Sequence, residues 1–460
     1  MTTLFAPTAL LPDGWAENVL IEYDKDGWIV GVDSFKTPPA GNADLDVAQG
    51  PLVPGMPNIH SHAFQRAMAG MTERASGKKD NFWGWRETMY RFLSHIEPED
   101  MEALAAQIFV EMLKAGYTTV GEFHYIHHQK DGKPYADPAL MSHQIIKAAL
   151  ETGIAITHLP SLYAYGGFGE KPAAEGQKRF LNTVPQMMKI VENLHSSYKQ
   201  TPQVTIGFAH HSLRAVSPEM LREGTRAVRA LIPDAPIHIH AAEQMGEVEA
   251  CIGWSEKRPV EWLLENGNVD DKWCFVHCTH VTDSEIAGLA RAGVVVGLCP
   301  TTEANLGDGI FPLVEYFNAG GSFAIGSDSN ITVSVTEELR WLEYIQRLIR
   351  RERTLLKTAE IPSVGAMLFE KTLTGGAQAL GRKAGRIETG YRADMLVLDS
   401  ALPCMTGRVR DHILDSAIFA SAENPIRDVM AGGKWVVKNR RHKREDQTLE
   451  NFRRTLRKLG

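Results

Sequence analysis

Between residues 54 and 384 the chain repeats one unit: a short apolar run, a polar loop, then a helix-length amphipathic segment. The runs fall around Ile59 and at 118–123, 154–157, 204–208, 237–240, 274–277, 294–298 and 323–326. Strands that alternate with helices predict a parallel sheet, because each helix carries the chain back to the starting edge. Eight such units predict a closed (β/α)8 TIM-type barrel. The segment 98–115 illustrates the helical half of the unit. Leu104, Ile108 and Met112 recur on one face, and Gly116 is a suitable stop.

The flanks have a different rhythm. Segments 19–23 and 28–32 are separated by the turn-forming Asp24-Lys25-Asp26-Gly27, and the β pattern returns at 395–398 and 433–437. Residues 1–53 and 385–440 are therefore expected to build a small β-sandwich from both chain ends, beside a barrel over 54–384. Residues 441–460 read as a basic helical tail, whose ordinary role is a solvated face with some packing between subunits.

Composition narrows the classes of function. A net charge of −7 argues against a general nucleic-acid binder, which carries a basic patch. Five unevenly placed cysteines do not make a disulfide framework. With no apolar stretch of the roughly 20 residues that span a bilayer, no membrane partner is expected. The N-terminus lacks a basic segment followed by an apolar run. A cytoplasmic protein is expected, with a homodimer as its commonest assembly.

Chemistry in such a barrel sits at the C-terminal ends of the strands. Strand one ends in His60 and His62, whose i, i+2 spacing turns both imidazoles to one face. Strand four runs into His210, His211 and Arg214, and strand five ends in His240-Ala241-Ala242-Glu243. Strand six ends at His277 and strand eight at Gly326-Ser327-Asp328. So many polar groups on one rim need partners or a cation.

His60, His62, His240 and Asp328 are assigned to one divalent metal, preferably Zn2+, although Fe, Co or Ni suit the same donors. Taken alone, His240 reads more readily as a core histidine bonded to backbone; its place at a strand end makes it a ligand candidate. His238, two residues deeper, is assigned that structural role. His124, His127 and His128 match no ligand spacing. The absence of lysine in 204–209 argues against a carboxylated lysine bridging two metals. Glu243 is placed to shuttle protons, as an alternative to a solvent-facing glutamate at a helix start. His277 is placed to bond the attacking water or the charge developing on the substrate.

In this order the residues resemble the amidohydrolase superfamily, in particular its mononuclear deaminase branch. The pattern is His-x-His after strand one, His-x-x-Glu at strand five, His after strand six and Asp after strand eight. The resemblance extends over nearly the whole chain, including Gly390-Tyr391-Arg392-Ala393-Asp394. Further segments resemble members acting on N-formimino-L-glutamate: His62-Ala63-Phe64-Gln65-Arg66, Trp83-Gly84-Trp85-Arg86, Glu122-Phe123-His124-Tyr125 and His210-His211-Ser212-Leu213-Arg214.

That resemblance implies hydrolysis of the formimino carbon with release of ammonia, as one step of histidine degradation. Asp328 would accept the proton of the attacking water, and Glu243 would protonate the leaving nitrogen. His277 would stabilise the tetrahedral intermediate. A small dicarboxylate substrate needs cationic forks, and Arg86 and Arg214 can supply them, with Gln65, Tyr125 and His211 as further lining. The aromatic surroundings of Arg86 (Phe82, Trp83, Trp85) also read as a loop forming a hydrophobic lid. One alternative is a deaminase of the same branch acting on a nucleobase or related cyclic amidine, which would not need two arginines. A non-enzymatic metal-binding protein on the same scaffold is the alternative from another class.

Overall fold

A computed structural model describes residues 1–36, 45–73 and 82–459. Eight strands form the barrel: β1 (Met56–Ser61), β2 (Tyr117–His124), β3 (Ala155–Leu162), β4 (Phe208–Ser212), β5 (Ile237–Ala241), β6 (Trp273–His277), β7 (Val295–Leu298) and β8 (Ser322–Ile325). Each pairs in parallel with its neighbour in sequence order, from β1 to β8. The ring closes through a single parallel bridge between Ser61, the last residue of β1, and Asp328, just past the end of β8.

The run expected at 204–208 is interrupted. Val204–Ile206 pairs with β3, and β4 begins at Phe208. Gly207 separates them because the backbone passes so close to its neighbours there. A Cβ at this position would lie 2.7 Å from Leu159 and 2.8 Å from the Pro236 carbonyl.

The helix expected over 98–115 spans Pro98–Lys114. Its start is fixed by the Glu97 N–H, which donates to the Asp100 carboxylate at 3.0 Å. Met101, Leu104, Ile108, Phe109 and Met112 bury one face in the main core. Each such side chain removed from water contributes about 1.5–3 kcal/mol. Gly116 follows with φ +98°, and a Cβ there would strike Ile426 at 2.4 Å.

Both chain ends meet in a second sheet, of nine strands among the described residues. Leu52–Pro54, from the N-terminal side, pairs antiparallel with Met395–Leu398 from the C-terminal side, through Val53 opposite Leu396. Leu4, Ala6, Ile21, Leu52, Met395, Val397 and Met430 share one core cluster, so strands from both ends wrap a common interior. Within the C-terminal part a helix, Asp411–Phe419, packs against the helices Val335–Arg350 and Val364–Leu380, while its first residue, Asp411, accepts the indole N–H of Trp15 from the second sheet at 3.1 Å.

The basic tail forms a helix, Glu445–Leu459, that packs on its own barrel. Lys458 meets Asp100 at 2.6 Å and Glu445 meets Lys114 at 2.7 Å, while His442 Nε2 bonds the Thr152 carbonyl. No helix among the described residues is long and apolar enough to cross a membrane.

Candidate active site

His60 and His62 project from the end of β1, and His240 from the end of β5. Two of these rings are oriented by backbone carbonyls: His62 Nδ1 donates to Phe123 O at 2.8 Å, and His240 Nδ1 donates to His211 O at 2.7 Å. Their Nε2 atoms are thereby left without a proton and turned inward. His240 Nε2 lies 3.1 Å from His60 Nε2, and Asp328 Oδ1 lies 3.3 Å from His60 Nε2 and 3.4 Å from His62 Nε2.

The potential ligand atoms of these four buried residues all lie within 4.8 Å of one another. Lone pairs crowded in this way repel unless a cation stands between them. Three imidazoles and a carboxylate suit a divalent metal. Burial takes His60 down to about 3, and it also lowers His62 and His240, so each ring is neutral and able to offer a lone pair to a cation. Burial pushes Asp328 up, but its hydrogen bond with the His60 ring and the positive charge of His277 prevail, lower it and keep it ionised.

The backbone here is strained. Ala242, His277, Cys278 and Asp328 all have positive φ, between 45° and 72°. At Asp328 this turn lets the chain bond β1 on both sides: its N–H donates to His60 O at 2.9 Å, and its O accepts from His62 N–H at 3.0 Å. Asn58 and Asn330 complete the seam. Asn58 accepts the Ser327 N–H at 3.1 Å and donates to Ser327 Oγ at 2.7 Å. Asn330 donates to Ser61 Oγ and to His62 O, both at 3.2 Å. Residue-type reasoning did not single out Asn58 or Asn330; the available signal for Asn58 was its place two residues before His60 on β1.

Glu243 is buried, not solvent-facing, and its carboxyl is pushed up to about 7 by that burial, against the opposing pull of His277 and Arg214. Its Oε1 lies 3.9 Å from His277 Nε2, as does Asp328 Oδ2. Burial disfavours a charged His277, yet Glu243, Glu303 and Asp328 together raise it to about 10. Glu303, on the helix Pro300–Leu306, was not anticipated. Its Oε1 takes the His277 Nδ1–H at 3.2 Å and the Cys299 N–H at 2.9 Å.

A cavity opens onto these groups. Gln65, Arg86, Tyr125, His211 and Arg214 all line it, together with His62, His240, Glu243, His277 and Asp328. Gln65 Nε2 donates to Tyr125 OH at 3.1 Å. Arg86 does not sit in a loop: it lies on the helix Phe82–Leu93, with its guanidinium 5.5 Å from the Tyr90 ring. Trp85 lines the cavity, as the lid reading requires; the side chains of Phe82 and Trp83 lie outside the described residues.

Burial, then the like charge of Arg214, lowers the pKa of Arg86. Arg214 is held charged against its burial by Glu247 and Glu243. Tyr90, Tyr163 and Phe180 also line the cavity without having been anticipated. Tyr163 directly follows β3, so the strand-end rule could have found it.

Other histidines serve structure. His238 Nε2 bonds the Ala379 carbonyl at 2.8 Å, as assigned. His210 turns away from the cavity to Thr225 Oγ1 at 3.0 Å. His127 and His128 bond the carbonyls of Ser161 and Leu181.

Eight parallel strands with this donor set at one rim define a metal-dependent hydrolase barrel, and residues 52–436 match the model of the amidohydrolase family, to which the chain belongs. Residues 1–43 match a model described as formimidoylglutamate deiminase HutF, N-terminal domain. The formimidoylglutamate deiminase of Pseudomonas aeruginosa is 47% identical over the full length of both chains. Among solved structures, an amidohydrolase from Brucella melitensis superposes with a TM-score of 0.93, at 43% identity and full coverage of both chains. A zinc-bound adenosine deaminase from Xanthomonas campestris shares the fold, with a TM-score of 0.82 at 21% identity, over 100% of this chain and 98% of its own.

Proposed function

We propose that the protein hydrolyses N-formimino-L-glutamate to N-formyl-L-glutamate and ammonia, a step of histidine degradation. The observation that carries this reading is the pairing, in one cavity, of two arginines with the proton-handling groups Glu243, His277 and Asp328. Full-length similarity to a formimidoylglutamate deiminase supports the same substrate. The chain is read as a cytoplasmic homodimer, in keeping with its five free cysteines.

His60, His62, His240 and Asp328 hold one divalent metal, by preference zinc, which supplies Lewis acidity and makes a water acidic near neutral pH. Arg86 and Arg214 each engage a substrate carboxylate, and Gln65, Tyr125 and His211 shape the remaining wall. Asp328, ionised at neutral pH, takes a proton from the attacking water. Glu243 protonates the formimino nitrogen, and as the tetrahedral carbon collapses Asp328 passes the water's proton to the same nitrogen, which leaves as ammonia while the new hydroxyl returns a proton to Glu243. His277, positively charged and fixed by Glu303, offers its Nε2–H to the oxygen that becomes negative as the carbon turns tetrahedral.

The test is ammonia release by the purified, metal-loaded protein from formiminoglutamate, adenosine, cytosine and a cyclic amidine. Turnover of formiminoglutamate above all the others is expected. Preferred turnover of a nucleobase or nucleoside would overturn the substrate assignment while leaving the metal site standing.

A further inference from the structure

Glu247 lies on the first turn of the helix Met245–Ser255, which begins two residues after Glu243. Glutamate is common at a helix start, where it faces solvent or closes a capping box. Here it is buried and turns back, so that its Oε2 accepts the Glu243 N–H at 3.0 Å. Between them the Gln244 side chain donates to Asp308, in the segment after the helix Pro300–Leu306. The turn that carries Glu243 is thus anchored from both sides.

The same carboxyl faces the substrate-binding arginines. Glu247, Arg86 and Arg214 line one cavity, and the two arginines also line the adjoining catalytic one. Among the described residues Arg214 makes no hydrogen bond and closes no ion pair, so its charge is balanced across space. Burial raises the Glu247 carboxyl and works against a charged Arg214; in each case the strongest counter-influence is the other residue.

An arginine that receives a carboxylate has to keep its charge while no substrate is bound, and a buried cation without a counter-charge is costly. An arriving carboxylate then competes with the internal acid for the same cation. On the dicarboxylate reading given above, we propose that Glu247 is the internal counter-ion of Arg214 and, through the Glu243 backbone, a positioning residue for the proton shuttle. Removing its charge should therefore tighten substrate binding while making the unliganded protein less stable.

Two substitutions in the metal-loaded, full-length protein separate these roles. Glu247→Gln keeps an oxygen for the Glu243 N–H but removes the charge, whereas Glu247→Ala removes both. Glu247→Gln should lower KM for formiminoglutamate by about fivefold, the scale of one ion pair that water can reach. kcat should fall about tenfold further in Glu247→Ala, because the shuttle loses its anchor. A residue that only caps the helix would lower kcat and Tm without lowering KM. An unchanged or raised KM in Glu247→Gln would overturn the counter-ion, and equal kcat in the two variants would overturn the positioning of Glu243.

Thermal unfolding gives a readout independent of turnover. Without substrate, Glu247→Gln should lower Tm, and adding Arg214→Met should recover it, since the orphaned cation is gone. N-formyl-L-glutamate should raise Tm more in Glu247→Gln than in wild type. A Tm loss that Arg214→Met does not relieve, or an equal rise with N-formyl-L-glutamate, would overturn the pairing. A wild type that does not turn over formiminoglutamate would overturn the substrate assignment alone, because the Tm comparison of the variants needs no substrate.

Discussion

Glu303 accepts the Nδ1–H of His277 at 3.2 Å from a helix that follows the next strand, so the orientation of this imidazole depends on a neighbouring unit of the barrel. The carboxylate also helps to raise His277 to about 10. Glu303→Gln keeps the shape but removes the charge. His277 should then lose its proton at lower pH, and the alkaline fall of kcat should move toward neutral pH. A pH profile of kcat unchanged from wild type would show that Glu303 does not act through His277.

Glu243→Gln removes the carboxyl proposed to move a proton to the leaving nitrogen. A positioned proton shuttle is worth about a hundredfold or more in rate. Turnover should fall on that scale, with metal content unchanged by elemental analysis. Near-normal turnover would remove Glu243 from the proposed chemistry.

Arg214→Met should act on binding. Loss of one charged fork to a carboxylate costs about 1.5–3 kcal/mol, roughly 10- to 150-fold in KM. Arg214 also carries the positive charge facing Glu247 and Glu243, so kcat falls as well, by less. Unchanged saturation with formiminoglutamate would place the carboxylate elsewhere.

Removal of the metal by a chelator should abolish turnover and lower Tm, because a cation bound only by the folded chain stabilises it. Elemental analysis should return one metal per chain, and one equivalent of zinc should restore both properties. Turnover unaffected by full metal removal would refute the assignment of the four ligands.

Glu122 gives a prediction about stability and pH. Buried on β2 beside Ser61 at the end of β1, it accepts the Ala63 N–H at 2.7 Å, and burial pushes its carboxyl up to about 8. The folded chain keeps this proton between pH 4.5 and 8 while the unfolded chain has lost it. Stability from this group is therefore fully present at acid pH and declines as pH rises through 8. Glu122→Gln cannot ionise, so its Tm relative to wild type should be higher at pH 8.5 than at pH 5.5. A relative Tm that does not change with pH would contradict the raised carboxyl.

Gly375 reverses the usual helix preference. It lies within the helix Val364–Leu380, where alanine is ordinarily better by about 1 kcal/mol. A Cβ there would lie 2.1 Å from the Phe323 carbonyl oxygen on β8. Gly375→Ala should therefore lower Tm, because the helix must withdraw from the barrel. An unchanged or raised Tm would show that the contact yields easily.

The alternation of apolar runs and helices made the barrel legible, since each strand pairs with its neighbour in sequence. The position of metal-type residues at strand ends then brought His60, His62, His240 and Asp328 into one list. Period and spacing carried less elsewhere. Nothing local predicts that Val53 pairs with Leu396, because alternation identifies a strand but not its partner. Arg86 was placed in a loop because Gly84 and its aromatic neighbours weaken the helical pattern, whereas the surrounding residues form a helix. Glu303 could not be linked to His277, since no spacing rule connects a strand end to a helix one unit later.

The single bridge between Ser61 and Asp328 has a consequence for synthesis of the chain. His60 and His62 emerge early, His240 much later, and Asp328 only when the last barrel strand has been made. No N-terminal fragment therefore owns the full donor set, and the emerging polypeptide remains a poor chelator until the ring shuts. If these four residues hold the proposed metal, its capture would double as a signal that the barrel is complete, and the cation would fasten the first strand to the last.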